Sequence, residues 1–163
     1  MSDSKRLASI DALVMDVDGV LTDGTFSWSA AGDEIKSFCF EDVMGLSRAR
    51  QAGLTLGLIS GEDSPLVDRF ASKLAIPFVA KGCKDKGAAL RHFADSTGIP
   101  LGRTAFIGDD VNDLAALALA GFSVAPANAQ PQVLCSVTLV LKRSGGHGAV
   151  RELAELILAA RSP

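Results

Sequence analysis

The sequence predicts an α/β fold in which a parallel β-sheet is flanked by helices. Short, continuous apolar runs such as residues 12–15 and 104–107 are typical of strands that are buried on both faces. Longer segments with helical periodicity lie between these runs, and strands that alternate with helices form parallel sheets with right-handed crossovers. One segment, residues 25–40, breaks the alternation and predicts a β-hairpin inserted after the first strand.

The predicted strands are apolar runs that end at glycine or polar residues. Residues 12–15 are followed by acidic residues and Gly19, the run 54–59 ends at Ser60, and the run 104–107 ends at Gly108. Three further runs, of four residues each, have the same character. In chain order, the six predicted strands are residues 12–15, 54–59, 77–80, 104–107, 122–125 and 138–141.

Capping residues mark the ends of the predicted helices. Ser64 followed by Pro65 suits the N-cap and the first helical position of one helix. Gly53 and Gly98 follow two others, as C-terminal capping glycines do. The five predicted helices are residues 43–51, 64–74, 85–97, 112–119 and 149–160.

The hairpin has two strand-like runs, residues 25–28 and 34–40, around a glycine-containing turn. A hairpin that leaves the sheet would expose Phe26 and Trp28, so we expect these aromatic residues to contact another subunit. The chain has no internal repeat and no linker-like segment. We therefore expect the whole chain to form a single domain with a hairpin flap at about residues 24–40.

Composition excludes several classes of function. The chain has 163 residues, of which 48% are hydrophobic, and its 16 Lys and Arg against 19 Asp and Glu give a net charge of −3. An acidic chain gains little from binding nucleic acid or anionic lipid, so no nucleic-acid or membrane partner is expected. Cys39, Cys83 and Cys135 lie too far apart for a zinc motif or a disulfide framework. With no signal-peptide pattern and no apolar run of the roughly 18 residues that a membrane span needs, the expected location is cytoplasmic.

Reactive side chains follow three predicted strands, at the carboxyl edge where Rossmann-like sheets bind their ligands. Asp16 and Asp18 follow the first strand, and Asp109 follows the fourth. Carboxylates are the oxygen ligands that Mg²⁺ prefers, so Asp16, Asp18 and Asp109 form the predicted metal site. Ser60 follows the second strand, and Lys86 opens the helix after the third.

These residues have the chemistry that phosphoryl transfer needs, which is positioning and charge neutralisation. Asp16 is placed to attack phosphorus and form an aspartyl-phosphate. Asp18 is placed to protonate the leaving alcohol and then to deprotonate the hydrolytic water. Ser60 and Lys86 are predicted to hold the phosphoryl group and to neutralise its charge. Asp16, Asp18, Ser60 and Lys86 are therefore the predicted catalytic residues.

Four motifs of the chain resemble, in order, those of the haloacid dehalogenase superfamily of Mg²⁺-dependent phosphatases. They are Asp16-Val-Asp-Gly-Val-Leu-Thr-Asp23, Ser60, Lys86 and Gly108-Asp-Asp-Val-Asn-Asp113. The inserted hairpin, Asp42 and the glycine-rich segment 144–152 are similar to the subgroup that has no cap domain and dephosphorylates 3-deoxy-2-ulosonic acid phosphates. The resemblance implies a homotetramer whose hairpins pack around a central axis and in which a neighbouring subunit completes each active site.

The resemblance leaves two sugar phosphate substrates open. Phosphatases of the eight-carbon acid 3-deoxy-manno-octulosonate 8-phosphate usually carry Arg where this chain has Glu62. Glu62 together with Lys73 is more similar to phosphatases of 2-keto-3-deoxynononate 9-phosphate, so we expect this nine-carbon substrate, and Asn112 favours it as well. The predicted helix places Lys73 far from Glu62, so Lys73 is expected to serve a neighbouring subunit's site. Gly61 and Asp42 complete the predicted substrate-binding set.

Several roles and two other functions stay open at the level of sequence. Asp110 and Asp113 are expected to support the metal ligands through hydrogen bonds or loop capping, whereas Asp23 and Asp42 have equal weight as site residues and as anchors of the hairpin. A receiver-like phospho-acceptor domain would use similar acidic residues, but Asp18 supplies a base that clears the phosphate. A non-catalytic oligomerisation module related to these phosphatases would be expected to lose part of the catalytic set, which this chain retains.

Overall fold

The structure is a computed structural model that describes residues 3–161. Its strands are β1 (Ala12–Met15), β2 (Ser27–Trp28), β3 (Glu34–Ile35), β4 (Thr55–Ile59), β5 (Phe78–Ala80), β6 (Thr104–Ile107), β7 (Phe122–Ala125) and β8 (Leu139–Val140). Six of them form one sheet in the order β5-β4-β1-β6-β7-β8, and all neighbours in this sheet are parallel. The predicted α/β class is confirmed, and each predicted sheet strand is present within one residue at either end.

The helices are α1 (Asp3–Ala8), α2 (Phe40–Gln51), α3 (Pro65–Leu74), α4 (Lys86–Thr97), α5 (Leu114–Leu119), α6 (Pro131–Leu134) and α7 (Ala149–Arg161). Single turns of 3₁₀-helix at Leu101–Arg103 and Val111–Asp113 precede β6 and α5, so the helix predicted at 112–119 is divided between such a turn and α5. The sequence does not predict α1 or α6. Of the α1 residues only Leu7 is buried, and α6 is a single turn, so neither has a readable apolar period.

Side-chain caps fix the starts of the two helices that follow β4 and β5. The Oγ of Ser64 accepts the N–H of Leu66 at the start of α3. The carboxylate of Asp85 accepts the N–H of Ala88 at 2.9 Å and so caps α4. This second cap bears on function, because α4 begins with Lys86.

The central strand β1 is covered on both faces. Leu13 and Met15 belong to an apolar layer that includes residues of α2 and α7, whereas Val14 packs in the layer that includes residues of α4 and α5. All four residues of β1 are buried, as expected of a strand between two helical layers. The sheet and its two layers therefore hold the carboxyl end of β1 in a fixed position.

The predicted hairpin forms from β2 and β3, which pair antiparallel. Each strand has only two residues, so both are shorter than the predicted runs 25–28 and 34–40, and α2 already begins at Phe40. The Oγ of Ser29 accepts the N–H groups of Ala31 and Asp33, which closes the turn. The segment between β1 and α2 contains this hairpin and no cap domain.

No helix within residues 3–161 is both long enough and apolar enough to cross a membrane. Cys39, Cys83 and Cys135 are free thiols. Burial raises the pKa of the Cys83 thiol, which favours its neutral form and makes it a poor nucleophile.

Candidate active site

The carboxyl ends of β1 and β6 bring two predicted metal ligands to one edge of the sheet. Asp16 follows β1 directly, and its N–H donates to the carbonyl of Ile107 at 3.0 Å, which extends the pairing of the two strands. Asp109 follows β6, and its carbonyl accepts the N–H of Gln130 at 2.8 Å. Because a backbone hydrogen bond holds each of the two residues in place, their carboxylates are anchored at fixed points of the sheet edge.

Lys86 lies between two of the acids. Its side chain is only 1% exposed, and its Nζ lies 2.8 Å from Asp16 Oδ1 and 2.7 Å from Asp113 Oδ1. Burial alone would lower the pKa of this ammonium, but the charges of Asp16 and Asp113 raise it above its ordinary value. Lys86 is therefore charged at neutral pH, and its charge faces the predicted nucleophile.

Asp113 holds both Lys86 and the loop that follows β6. Its Oδ1 accepts the bond from Lys86, and its Oδ2 accepts the N–H groups of Asp109 at 2.9 Å and Asp110 at 3.1 Å. Gly108 makes this approach possible, because a Cβ at that position would overlap the side chain of Asp113. Both oxygens of Asp113 thus serve protein donors, and the residue supports the site through these hydrogen bonds.

Three carboxylates lie close enough to hold one cation. Oxygens of Asp16, Asp109 and Asp113 all lie within 4.8 Å of one another. The pKa of Asp16 is raised well above its ordinary value, and the pKa of Asp109 is raised to about 6. In both cases the larger cause is burial and the next is the charge of Asp113. The Oδ1 of Asp109 is buried and has no hydrogen-bond partner among residues 3–161. A cation would satisfy this oxygen and offset the repulsion, so Asp16 and Asp109 fit a divalent ion such as Mg²⁺.

Asp16 and Asp109 line a cavity of about 440 Å³, a size that suits one small polar ligand. Asp23 and Gly24 border it on the hairpin side, and Asn128 and Gln130 border it from the loop after β7. The predicted residues that line it are Asp16, Asp18, Gly61, Glu62, Lys86, Asp109, Asp110 and Asn112. Strand ends that are separated in sequence therefore meet at one polar cavity, as the sequence predicts.

Besides Asp113, three predicted residues do not line this cavity. Ser60 is fully buried, and its Oγ accepts the N–H of Glu62 at 3.2 Å. Lys73 lies on α3 and lines a separate pocket at the base of the hairpin. Asp42 is fully buried on α2, where it accepts the N–H of Arg151 at 2.8 Å. Within one chain, Asp42 faces α7 instead of the cavity, and α3 carries Lys73 away from Glu62.

The sequence is similar to those of known proteins. Residues 40–153 match the haloacid dehalogenase-like hydrolase family. The chain belongs to this family. The 3-deoxy-D-manno-octulosonate 8-phosphate phosphatase of Haemophilus influenzae is 38% identical over 157 residues, which cover 96% of this chain and 87% of that protein. The phosphatase of the same description from Yersinia pestis is 34% identical, with 96% and 84% covered.

A solved structure of a relative from Moraxella catarrhalis supports the same assignment of this haloacid dehalogenase-like hydrolase. It is a 3-deoxy-D-manno-octulosonate 8-phosphate phosphatase in complex with a magnesium ion, a phosphate ion and KDO. The two structures have a TM-score of 0.94 at 39% identity, over 97% of this chain and 91% of the other. The chain is therefore a phosphoric monoester hydrolase, and its cofactor is Mg²⁺.

Two residues that line the cavity of this hydrolase, Asn128 and Gln130, are not predicted from the sequence. The Nδ2 of Asn128 donates to the carbonyl of Gly19 at 3.1 Å, and its Oδ1 accepts the N–H of Gly145 at 2.7 Å. Asn128 thereby joins the loop after β1 to the glycine-rich segment before α7. A signal exists in the sequence, because Asn128 follows β7 and so belongs to a further strand end at the same edge.

Proposed function

We propose that this phosphatase hydrolyses the terminal phosphate ester of a 3-deoxy-2-ulosonic acid phosphate through an aspartyl-phosphate on Asp16. The observation that carries the proposal is the contact between Lys86 and Asp16 at a polar cavity that Asp18 and Asp109 also line. A carboxylate nucleophile, a buried cation and a second acid in one cavity are the groups that phosphoryl transfer to an aspartate requires.

In the first step, an oxygen of Asp16 forms a bond to phosphorus while the bond between phosphorus and the sugar oxygen breaks. Lys86 neutralises charge on Asp16 and on the transferring group. Asp18 donates a proton to the departing sugar oxygen, which leaves as an alcohol. Mg²⁺, for which the proposed ligands are Asp16, Asp109 and the main-chain carbonyl of Asp18, supplies further neutralisation of the phosphate oxygens when bound.

In the second step, Asp18 acts as the base. It accepts a proton from a water molecule whose oxygen bonds to phosphorus, and the bond between phosphorus and Asp16 breaks. Asp16 is regenerated and inorganic phosphate leaves. Ser60 is proposed to hold a phosphoryl oxygen, which requires a local rearrangement, because its side chain is fully buried and does not line the cavity.

The eight-carbon acid 3-deoxy-D-manno-octulosonate 8-phosphate is the proposed substrate, because the similar phosphatases are named for it. The nine-carbon 2-keto-3-deoxynononate 9-phosphate is the second candidate. Glu62 supports it, since this residue lines the cavity and its carboxylate can accept hydrogen bonds from sugar hydroxyls. Lys73 gives it less support, since this residue lies in a different pocket of the chain.

We further propose that the enzyme is a cytoplasmic homotetramer in which a neighbouring subunit completes the cavity. The exposed apolar residues of the hairpin, Phe26, Trp28 and Ile35, support the assembly. In the tetramer, Lys73 is the residue proposed to reach a neighbour's cavity. The three free cysteines support a reducing compartment.

Phosphate release from the eight-carbon and nine-carbon substrates, assayed side by side with Mg²⁺ and with EDTA, tests the proposal. We expect Mg²⁺-dependent turnover with a higher kcat/KM for the eight-carbon substrate. Asp16→Asn should abolish turnover while the variant still folds, whereas Asp95→Asn, at an exposed position on α4, should leave turnover unchanged. Turnover by folded Asp16→Asn would contradict the mechanism, and a preference for the nine-carbon substrate would reverse the substrate assignment.

A further inference from the structure

Lys36 of the hairpin contacts an acid that lines the active-site cavity, a contact that the sequence does not predict. Its side chain is 2% exposed, and its Nζ donates to Oδ1 of Asp18 at 2.7 Å. Burying a lysine ammonium costs several kcal/mol unless carboxylates face it. Asp18 and Glu34, whose Oε1 lies 3.6 Å from the same Nζ, are the carboxylates that face Lys36.

The position of Lys36 is fixed from a second direction. Ser64 donates its hydroxyl to Oε1 of Glu34 at 2.9 Å, and Ser64 is also the N-cap of α3. A continuous set of polar contacts therefore runs from the start of α3 through Glu34 and Lys36 to Asp18. Three different parts of the fold meet in this set: the hairpin, the start of α3 and the loop after β1.

We propose that Lys36 is a positioning residue that fixes the carboxyl group of Asp18 for proton transfer. This inference rests on the proposed function, in which Asp18 is the general acid and base. The bond from Lys36 occupies Oδ1, so the proton that Asp18 transfers is carried on Oδ2. Oδ2 gives this proton to the sugar oxygen as its bond to phosphorus breaks, and Oδ2 later accepts a proton from the hydrolytic water.

The position of a proton donor affects substrates with different leaving groups to different extents. A sugar alkoxide is a poor leaving group and needs a proton as the bond to phosphorus breaks, whereas p-nitrophenolate leaves readily without one. A loss of proper Asp18 orientation therefore slows the sugar phosphate far more than p-nitrophenyl phosphate. A general loss of folding or of metal binding slows both substrates equally.

The test compares kcat/KM for the sugar phosphate and for p-nitrophenyl phosphate in wild type and Lys36→Met. The ratio kcat/KM covers the steps through release of the alcohol and excludes hydrolysis of the aspartyl-phosphate. We expect Lys36→Met to lower kcat/KM by about tenfold or more for the sugar phosphate and by less than about threefold for p-nitrophenyl phosphate. Equal losses for the two substrates, or no loss for the sugar phosphate, would overturn the proposal.

Three other variants complete the test. Lys36→Arg keeps a donor beside Asp18 and should restore most of the sugar phosphatase activity. Lys81→Met is the matched control, because Lys81 also pairs with two carboxylates, at 2.6 and 2.9 Å, but these belong to Asp68 and Asp63, neither of which lines the cavity. It should leave both substrates unchanged, and a selective loss in this variant would count against the proposal. If Lys36→Met does not fold, Glu34→Gln should show the same selective loss to a smaller extent, and equal losses in it would overturn the proposal.

The design separates this proposal from the proposed function. If the wild-type protein hydrolyses aryl phosphates but neither sugar phosphate, only the substrate assignment is contradicted. Phenyl phosphate, whose phenol is less acidic than p-nitrophenol, then replaces the sugar phosphate in the comparison, and the same selective loss is expected. Wild-type protein that hydrolyses no phosphate monoester would overturn both proposals.

Discussion

Lys86 and its two carboxylate partners depend on one another. Nearly complete burial removes the ammonium from water, and contacts of 2.8 and 2.7 Å with Asp16 and Asp113 offset that cost. Asp113 is also committed to the backbone of the loop after β6 through its other oxygen. Loss of the lysine would therefore leave two buried carboxylates facing each other with no cation between them.

Lys86→Met is expected to lower the free energy of unfolding of the metal-free protein by about 3–5 kcal/mol at neutral pH, because removing one partner of a buried pair leaves the other charges uncompensated. Urea unfolding in EDTA measures this loss. Adding Asp113→Asn should recover part of it, since one of the two repelling charges is gone. Lys84→Met, at an exposed site, should change the same free energy by less than about 0.5 kcal/mol. Similar losses in the two lysine variants would contradict the argument.

Site residues differ in how far the sequence can predict them. Asp16, Asp109 and Lys86 each adjoin a strand end or a helix start, so the predicted sheet edge already brings them together. Lys36 and Asn128 reach the site through contacts of the hairpin and of the loop after β7. No local pattern specifies which carboxylate or backbone group such side chains will meet, and these contacts exist only in the folded chain.

Among the secondary-structure elements, α2 and α7 are joined by a polar contact as well as by packing. The N–H of Arg151 is among the first four of α7, which have no partner within their own helix, and Asp42 of α2 accepts it. The helices approach closely at Gly45, where a Cβ would lie 2.8 Å from the Cα of Arg151. Asp42 therefore caps α7 from a neighbouring helix.

The charge of Asp42 makes stability depend on pH. Burial raises the pKa of its carboxyl, and hydrogen bonds from the N–H groups of Arg151 and Gly148 lower it only in part. The stabilising contribution of a group with a raised folded pKa is complete below its unfolded pKa and is lost as pH rises through its folded pKa. Asp42→Asn keeps an acceptor oxygen without the charge. The stability of this variant relative to wild type should therefore rise as pH increases above the ordinary pKa of an aspartate, about 3.9, as measured by urea unfolding.

Two comparisons distinguish the effect of the Asp42 charge on stability from the effect of its cap on α7. Asp95→Asn, on the exposed face of α4, should show no such trend with pH. Asp42→Ala removes the acceptor and should cost about 1 kcal/mol in addition, the usual cost of a lost N-cap. The KM of Asp42→Asn should equal that of wild type, because Asp42 does not line the cavity. A raised KM at unchanged stability would instead support the predicted role in substrate binding.

The positions of the sheet strands in the sequence are predictable because each strand is a short apolar run. The order of the strands in the sheet is not predictable in this way. An apolar run does not specify its neighbours: β1 pairs with β4 and β6, whose sequence positions are distant from it and from each other. The sequence also does not predict that α2 begins at Phe40. Phe40 is exposed, so it does not belong to the periodic pattern of buried apolar residues that indicates a helix. Element type thus follows from local pattern, whereas pairing depends on the whole chain.

In the whole molecule, several large apolar side chains stay exposed on the hairpin and at the start of α2. We use the term hairpin patch for these exposed residues, which are Phe26, Trp28 and Ile35 of the hairpin and Phe40 and Met44 of α2. Trp28 alone is 69% exposed. Exposed apolar residues grouped in this way mark interaction surfaces, and the predicted homotetramer makes a second copy of the chain the expected occupant.

Trp28→Arg should disrupt the assembly, because the tetramer would have to bury an unpaired charge in place of an apolar side chain. Sedimentation velocity should give wild type about four times the 16.9 kDa chain mass and the variant a smaller species. Leu156→Arg, at an exposed leucine on α7, is the control and should leave the mass unchanged. If a neighbouring subunit completes each cavity, activity of Trp28→Arg should fall with the tetramer fraction and recover at higher protein concentration by mass action. A fully active wild-type monomer would show instead that one chain builds the whole site and that the hairpin patch serves another purpose.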